Sequence, residues 1–212
     1  MRQIMVINAK GGSGKTTIAT NLASYFATQN KKVTIIDYDP QGSSLAWLDA
    51  RSPAKSPIQG IAGFKKNAER PKRNTDIVIM DAPAAVHGSE LSKLVRKAKT
   101  ILIPVLPSPI DMRAAASFIK ELKACAPVSQ KKAKLALVAN RSREITNIFW
   151  ELEDFLAGQK LPYLTMLRDS QNYVRAAERG LGIYEMGPAA TAVDRDQWDP
   201  IIKWVKSKRS QP

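Results

Sequence analysis

Cysteine and histidine are all but missing: Cys125 and His87 are single copies in a chain of 212 residues. One cysteine permits neither an internal disulfide nor a cysteine-rich metal site, and one histidine cannot supply a histidine cluster. Cys125 reads as a small buried apolar residue. No apolar run approaches the ~18 residues that a membrane-crossing helix requires. Arg2 and a short apolar run open the sequence, but glycines and lysines follow without a cleavage-site pattern, so a cytoplasmic protein is expected. Acidic residues are scarce as well, 19 against 33 Lys and Arg, for a formal net charge of +14. So large an excess points to a polyanionic partner, either nucleic acid or an anionic membrane surface.

Short apolar runs alternate with longer segments of helical period, which predicts repeated β-α units around a mainly parallel sheet, an α/β fold in one domain spanning 1–212. Strands are expected at Gln3–Asn8, Lys32–Asp37, Asp76–Asp81, Thr100–Val105 and Lys134–Ala139, with Tyr163–Leu167 a weaker candidate. Helices are expected at Gly14–Thr28, Ser89–Ala98, Asp111–Ala124, Thr146–Ala157, Gln171–Arg179 and Val193–Lys206. In the first of these, Ile18, Leu22, Tyr25 and Phe26 share a face. The stretch Arg51 to Thr75 has three prolines, several cations and no clear period, and reads as an exposed connection with one short helix.

After the first strand comes Lys10-Gly11-Gly12-Ser13-Gly14-Lys15-Thr16-Thr17. Glycines let backbone N–H groups converge on phosphate oxygens, and the helix beginning near Gly14 points its partially positive end at the same charge. In such a loop Lys15 reaches the β- and γ-phosphates, and the Thr16 hydroxyl ligates Mg²⁺. The strict phosphate-loop pattern fails at one place, since Ala9 stands where its first glycine belongs, and an early lysine, Lys10, follows instead. Two further segments end strands in acids: Asp37-Tyr38-Asp39-Pro40-Gln41 and Ile77-Val78-Ile79-Met80-Asp81-Ala82-Pro83. Ligands of open parallel sheets bind beyond the carboxyl ends of strands, so these acids are placed to face the nucleotide.

Together these motifs resemble the ParA/MinD superfamily of deviant-Walker-A P-loop ATPases, most closely its small ParA-type members, which include plasmid-partition forms and the McdA carboxysome-positioning proteins. The resemblance implies ATP and Mg²⁺ as ligands, with Gly11, Gly12, Ser13, Gly14, Lys15, Thr16 and Thr17 around the phosphates. It implies that Lys10 reaches across an ATP-sandwiched homodimer to the partner's nucleotide, as an arginine finger does. It also implies that Asp39 orients the attacking water, that Asp37 supports the Mg²⁺ shell, and that Asp81 holds Mg²⁺ directly or through water. Ala84 replaces a second proline that is frequent in the family. Asn140, at the end of the fifth strand, matches a position that often bonds adenine, and an ordinary capping asparagine is an alternative. The run Asp169 to Gly182 resembles a late segment of the family, with Gly180 expected to end a helix.

Family members use ATP-driven dimerisation to position cargo, so a cargo adaptor resembling ParB or McdB is an expected partner. With the phosphate loop this near the start, the extra N-terminal domain of longer partition ATPases is not expected. The charge excess, with basic clusters around Lys93, Lys131 and Lys203, favours sequence-nonspecific DNA and a nucleoid-associated protein. The alternative is a membrane-cycling ATPase like MinD. Its motivation is a tail stripe of Trp198, Ile201, Ile202 and Val205, which also suits core packing; membrane is the less expected partner. A metabolic P-loop enzyme lacks any residue set for a substrate pocket, and a nitrogenase iron protein would need two cysteines per chain.

Overall fold

A computed structural model describes residues 1–143 and 146–212. Seven strands form one sheet: β1 (Arg2–Val6), β2 (Val33–Asp37), β3 (Ile58–Ala62), β4 (Ile77–Asp81), β5 (Thr100–Val105), β6 (Lys134–Ser142) and β7 (Tyr163–Arg168). Their order is β3-β2-β4-β1-β5-β6-β7, and every neighbouring pair is parallel. β2, β4 and β5 are buried along their whole length. Continuous β-branched runs such as Ile77-Val78-Ile79 suit strands covered on both faces.

Among the described residues eight α-helices cover the sheet: α1 (Lys15–Thr28), α2 (Ser43–Asp49), α3 (Gly88–Val95), α4 (Pro109–Ala124), α5 (Ala126–Ser129), α6 (Asn147–Gly158), α7 (Gln171–Ala177) and α8 (Pro188–Lys206). Alternate strand residues divide the core in two. Met5, Val78, Met80, Ile101 and Ile103 pack with Leu91, Phe118 and Leu152 on one face. Ile4, Val6, Ile35, Ile79 and Leu102 pack with Ile18, Leu22 and Phe26 on the other. Trp198, Ile201, Ile202 and Val205 belong to that second layer, at 0, 0, 5 and 0% exposure, so the tail stripe is core packing. Among the described residues no helix is long and apolar enough to cross a membrane.

One sequence expectation needs correction. The stretch Arg51 to Thr75 is not merely a connection, because it contains β3, paired in parallel with β2 from Val33↔Ile58 to Asp37↔Ala62. Five residues at a sheet edge are too few to announce a period, and Gly60 interrupts them. A Cβ at Gly60 would come within 2.7 Å of Leu48 Cδ1, so the glycine lets α2 lie close against the strand. The short helices α2 and α5 are likewise additions to the sequence reading. Gly180 behaves as expected: its φ is +61°, and Leu181 N donates back to Ala176 O at 2.9 Å, ending the helical turn.

Candidate nucleotide site

The loop between β1 and α1 is held from both sides. Asn8, 2% exposed, donates from Nδ2 to Pro104 O at 2.7 Å, and its Oδ1 accepts from Lys10 N at 3.1 Å. Ser13 Oγ donates to Lys10 O at 3.2 Å. From β6, Asn140 Nδ2 donates to Ser13 O at 2.8 Å. Gly12 and Gly14 adopt φ of +74° and +87°, a region that costs side-chain-bearing residues strain, so these two positions require glycine. Gly14 is the N-cap of α1 and contributes no side-chain hydrogen bond; the first turn holds no acid. The N–H groups of that turn are thereby left for an anion, aligned with the positive end of the helix dipole.

Lys15 opens α1, only 8% exposed, with Nζ 3.3 Å from Lys10 O. Burial holds its ammonium below the usual lysine range, while the Asp81 and Asp39 charges oppose that shift. An ammonium so placed gains from a phosphate more than an exposed one does, because little water remains to screen the pair.

Of the three candidate carboxylates, Asp37 and Asp81 end β2 and β4 as register partners, and Asp39 follows two residues after β2. They differ in what holds them. Asp37 is fully buried: Oδ1 accepts from Asp39 N at 3.0 Å, and Oδ2 accepts from Ser44 N at 2.9 Å and Ser44 Oγ at 2.7 Å. That carboxylate fixes the turn into α2. Asp39 is half-buried, with Oδ1 accepting from Gln41 N at 3.0 Å. Asp81 is 1% exposed, and neither of its oxygens has a hydrogen-bond partner. Burial pushes its carboxyl up to about 7; the nearby Thr16 hydroxyl and Lys15 ammonium draw it down, and Asp37 and Asp39 add to the rise.

A cleft of about 660 Å³ opens over the loop. Gly11, Gly12, Gly14, Lys15, Thr16 and Thr17 form its floor, with Asp39, Gln41, Ser43 and Ala84 beside them. Asn140 and Arg141 from β6 line it as well. Lys10 is exposed and does not line the cleft of its own chain. The structure therefore gathers Lys15, Thr16, Asp39, Asp81 and Asn140, sets Asp37 behind them, and leaves Lys10 facing outward. Asn140 lines the cleft while its amide nitrogen is occupied by the loop.

A further wall escaped the sequence reading. Arg168 ends β7, Asp169 and Ser170 follow it, Tyr173, Val174 and Ala177 come from α7, and Glu178 caps that helix; all line the same cleft. Arg168 donates to buried Asp194 from Nε at 2.7 Å, and Asn172 Nδ2 donates to the same carboxylate at 2.7 Å. Tyr173 OH accepts from Trp198 Nε1 at 3.0 Å, and burial raises its phenol well above the usual range. The family-like run from Asp169 was the one available signal, and it carried no role.

An Mg²⁺ ion suits this donor set. Two unpartnered carboxylate oxygens on Asp81, buried beside the Thr16 hydroxyl, are costly without a cation or its water shell. Among the described residues no three His, Cys, Asp or Glu side chains converge into an all-protein cage. That fits a cation that keeps most of its waters and takes its other ligands from substrate phosphates.

Comparison with known proteins agrees with this geometry. Residues 4–183 match the family described as the CobQ/CobB/MinD/ParA nucleotide binding domain. The maintenance of carboxysome distribution protein A of Halothiobacillus neapolitanus is 30% identical over 190 residues, 87% of each chain. The chromosome-partitioning ATPase Soj of Thermus thermophilus is 26% identical over 155 residues, 58% of this chain and 62% of that one. Among solved structures, an ATP complex of McdA from Cyanothece superposes with a TM-score of 0.71 at 17% identity, covering 95% of this chain and 96% of that one. MinD of Aquifex aeolicus superposes with a TM-score of 0.70 at 19% identity and 98% coverage of both. These low-identity structures speak to the fold, and the sequence matches to descent: the chain belongs to the CobQ/CobB/MinD/ParA family of nucleotide-binding P-loop proteins, alongside the ParA-like positioning ATPases.

Proposed function

We propose that this protein is an Mg-dependent ATPase whose ATP-bound form is a homodimer that binds DNA without sequence preference and positions a cargo through an adaptor protein. The observation that carries the nucleotide half is the pairing of buried Lys15 with the unpartnered Asp81 carboxylate over the glycine loop. A triphosphate and its cation compensate both buried charges together.

The residues divide the work as follows. Backbone N–H groups of Gly11 to Thr17 and the Lys15 ammonium bind the phosphates. Thr16 and Asp81 hold Mg²⁺, which when bound neutralises charge on the β- and γ-phosphates. Asp37, engaged by Ser44 and Asp39 N, keeps the following turn in place and thereby supports the metal shell indirectly. Asp39 orients the attacking water. Asn140 positions the loop and contacts the base from the cleft wall. Lys10, outward-facing and absent from its own cleft, completes the partner's site by placing a cation beside the transferred phosphoryl group.

The test is light scattering of wild-type and Asp39→Ala protein with ADP and with Mg-ATP. A dimer formed only with ATP, and persisting in the variant with slow turnover, is the expected result. A strictly monomeric ATP form under blocked turnover removes the dimer and the positioning cycle built on it. For the cargo half, the DNA arm rests on the +14 charge, and its test is binding that requires ATP and weakens steeply with salt.

A further inference from the structure

Because all seven strands run parallel, their N-terminal ends lie together at the end of the molecule opposite the phosphate loop. Cations collect there. Lys32 directly precedes β2 and Lys99 directly precedes β5; Lys132 leads into β6 and Lys160 into β7. Lys208 and Arg209 occupy a short 3-10 turn after α8. All six are exposed, and none forms a salt bridge among the described residues. Asp76 directly precedes β4 and so stands in the same row, and its Oδ2 accepts from Lys32 N at 2.9 Å.

The basic turn is a built feature. Arg2 at the start of β1 donates to Val205 O at 2.8 Å and Lys206 O at 2.6 Å, capping the end of α8. Thr100 Oγ1 donates to Ser210 O at 2.6 Å, Gln211 Nε2 donates to Thr100 Oγ1 at 2.9 Å, and Ser210 is fully buried. The turn's backbone is thus fastened to the start of β1 and β5 while the Lys208 and Arg209 side chains remain outside. At the nucleotide end Arg141 and Arg143 lie 3.7 and 3.5 Å from Asp169 and Arg168 pairs with Asp194, while Lys10, Arg175 and Arg179 stand exposed without a salt bridge among the described residues.

Two hollows open on the basic end. One, of about 520 Å³, is bordered by Lys31 and Lys72 and reaches the buried hydroxyls of Thr34 and Thr75. The other, of about 210 Å³, is bordered by Lys131, Lys134 and Arg209. Among the described residues, Met1 is the one large apolar side chain standing out to solvent that adjoins the start of a strand, which gives this end little apolar surface for a bilayer.

We propose that the N-terminal ends of the strands form the face on which duplex DNA docks, its phosphates held by this row of cations and its base edges left unread. Lysine ammoniums supply charge without the planar two-point geometry that reads a guanine, which suits binding without sequence preference. The inference rests on the DNA-binding reading above and adds where on the molecule that binding occurs.

The test compares two four-site variants in Mg-ATP, titrated with a mixed-sequence duplex at several salt concentrations. One is Lys99→Gln/Lys132→Gln/Lys208→Gln/Arg209→Gln; the other removes the same charge from the flank, as Lys66→Gln/Lys93→Gln/Arg96→Gln/Lys120→Gln. Circular dichroism and DNA-free ATP turnover check that both remain folded and active. The first variant is expected to bind roughly a hundred-fold more weakly, with the salt slope reduced by about 3, and the second to stay within about threefold of wild type. Equal losses in both variants, or undiminished binding by the first, overturn the proposed face while leaving DNA binding itself in place. A wild-type protein that ignores DNA, or that sediments with phosphatidylserine vesicles instead, overturns the DNA reading and this inference with it.

Discussion

Asn140, at the end of β6, lies against Gly14: its Nδ2 donates to Ser13 O at 2.8 Å, and a Cβ on Gly14 would collide with that nitrogen. The tip of one strand thus holds the phosphate loop of another across 127 residues of sequence. Asn140→Ala would leave the buried Ser13 carbonyl unpaired and the loop free to shift. ATP affinity is expected to fall about tenfold, consistent with a loss of roughly 1–2 kcal/mol, while the fold persists. Titration calorimetry with Mg-ATP decides it; unchanged affinity would show that the loop needs no support from β6.

Gly14→Ala is expected to be harsher than its size suggests. A φ of +87° strains any side-chain-bearing residue, and the added methyl meets Asn140. Nucleotide binding should be lost by more than a hundred-fold with secondary structure retained, as read by a fluorescent ATP analogue and circular dichroism.

Asp81 gives the nucleotide-free protein a pH dependence of definite sign. Its carboxyl titrates near 7 in the fold against 3.8 in the open chain, so the folded state holds more protons between those values. Stability of the nucleotide-free protein therefore falls as pH rises from about 4 to 7. Asp81→Asn should flatten that slope, raise the melting temperature at pH 7 and abolish Mg-dependent turnover. Melting curves across this range test the assignment, and an unaltered slope in the variant refutes it.

Asp194 has the opposite sign. Burial pushes its carboxyl up, but hydrogen bonds from Arg168 and Asn172 outweigh that and hold it below the usual range. The resulting stability is fully present above about pH 4 and is lost as pH falls through the lowered value. Asp194→Ala leaves Arg168 without this partner at the cleft wall. It should cost about 2 kcal/mol, discounted because the Arg168 side chain is 36% exposed. It should also weaken ATP binding, measurable by chemical denaturation and calorimetry on the same preparation.

Lys10→Ala separates binding from assembly. With Lys10 outside its own cleft, a monomer should still bind ATP near wild-type affinity. Dimerisation and turnover should both fall by at least ten-fold, as expected when a cation supplied in trans is removed. Loss of monomer binding instead would assign Lys10 to its own nucleotide.

Much of the site was legible in the linear sequence because its signals are short-range. Glycines at positive φ, a Lys-Thr pair at a helix start, and acids at the ends of β2 and β4 each follow from spacing within a few residues. β3 was not legible, since its five residues gain strand geometry from β2 on one side and from α2 packed over Gly60. The β7–α7 wall was not legible either: Arg168 and Tyr173 reach the cleft only because Asp194 and Trp198 hold them from α8.

By itself, the sequence determined that a glycine loop would head a helix at the carboxyl end of a parallel sheet, where the proposed phosphate site lies. Tertiary structure decided which of three similar aspartates keeps its oxygens open, because Ser44 and Asp39 N engage Asp37 while nothing comparable reaches Asp81. It likewise decided that cations scattered from Lys32 to Arg209 become one face, since parallel strands bring all their beginnings to the same end. Spacing encodes backbone conformation over a turn or a strand; partners separated by many residues are chosen by packing.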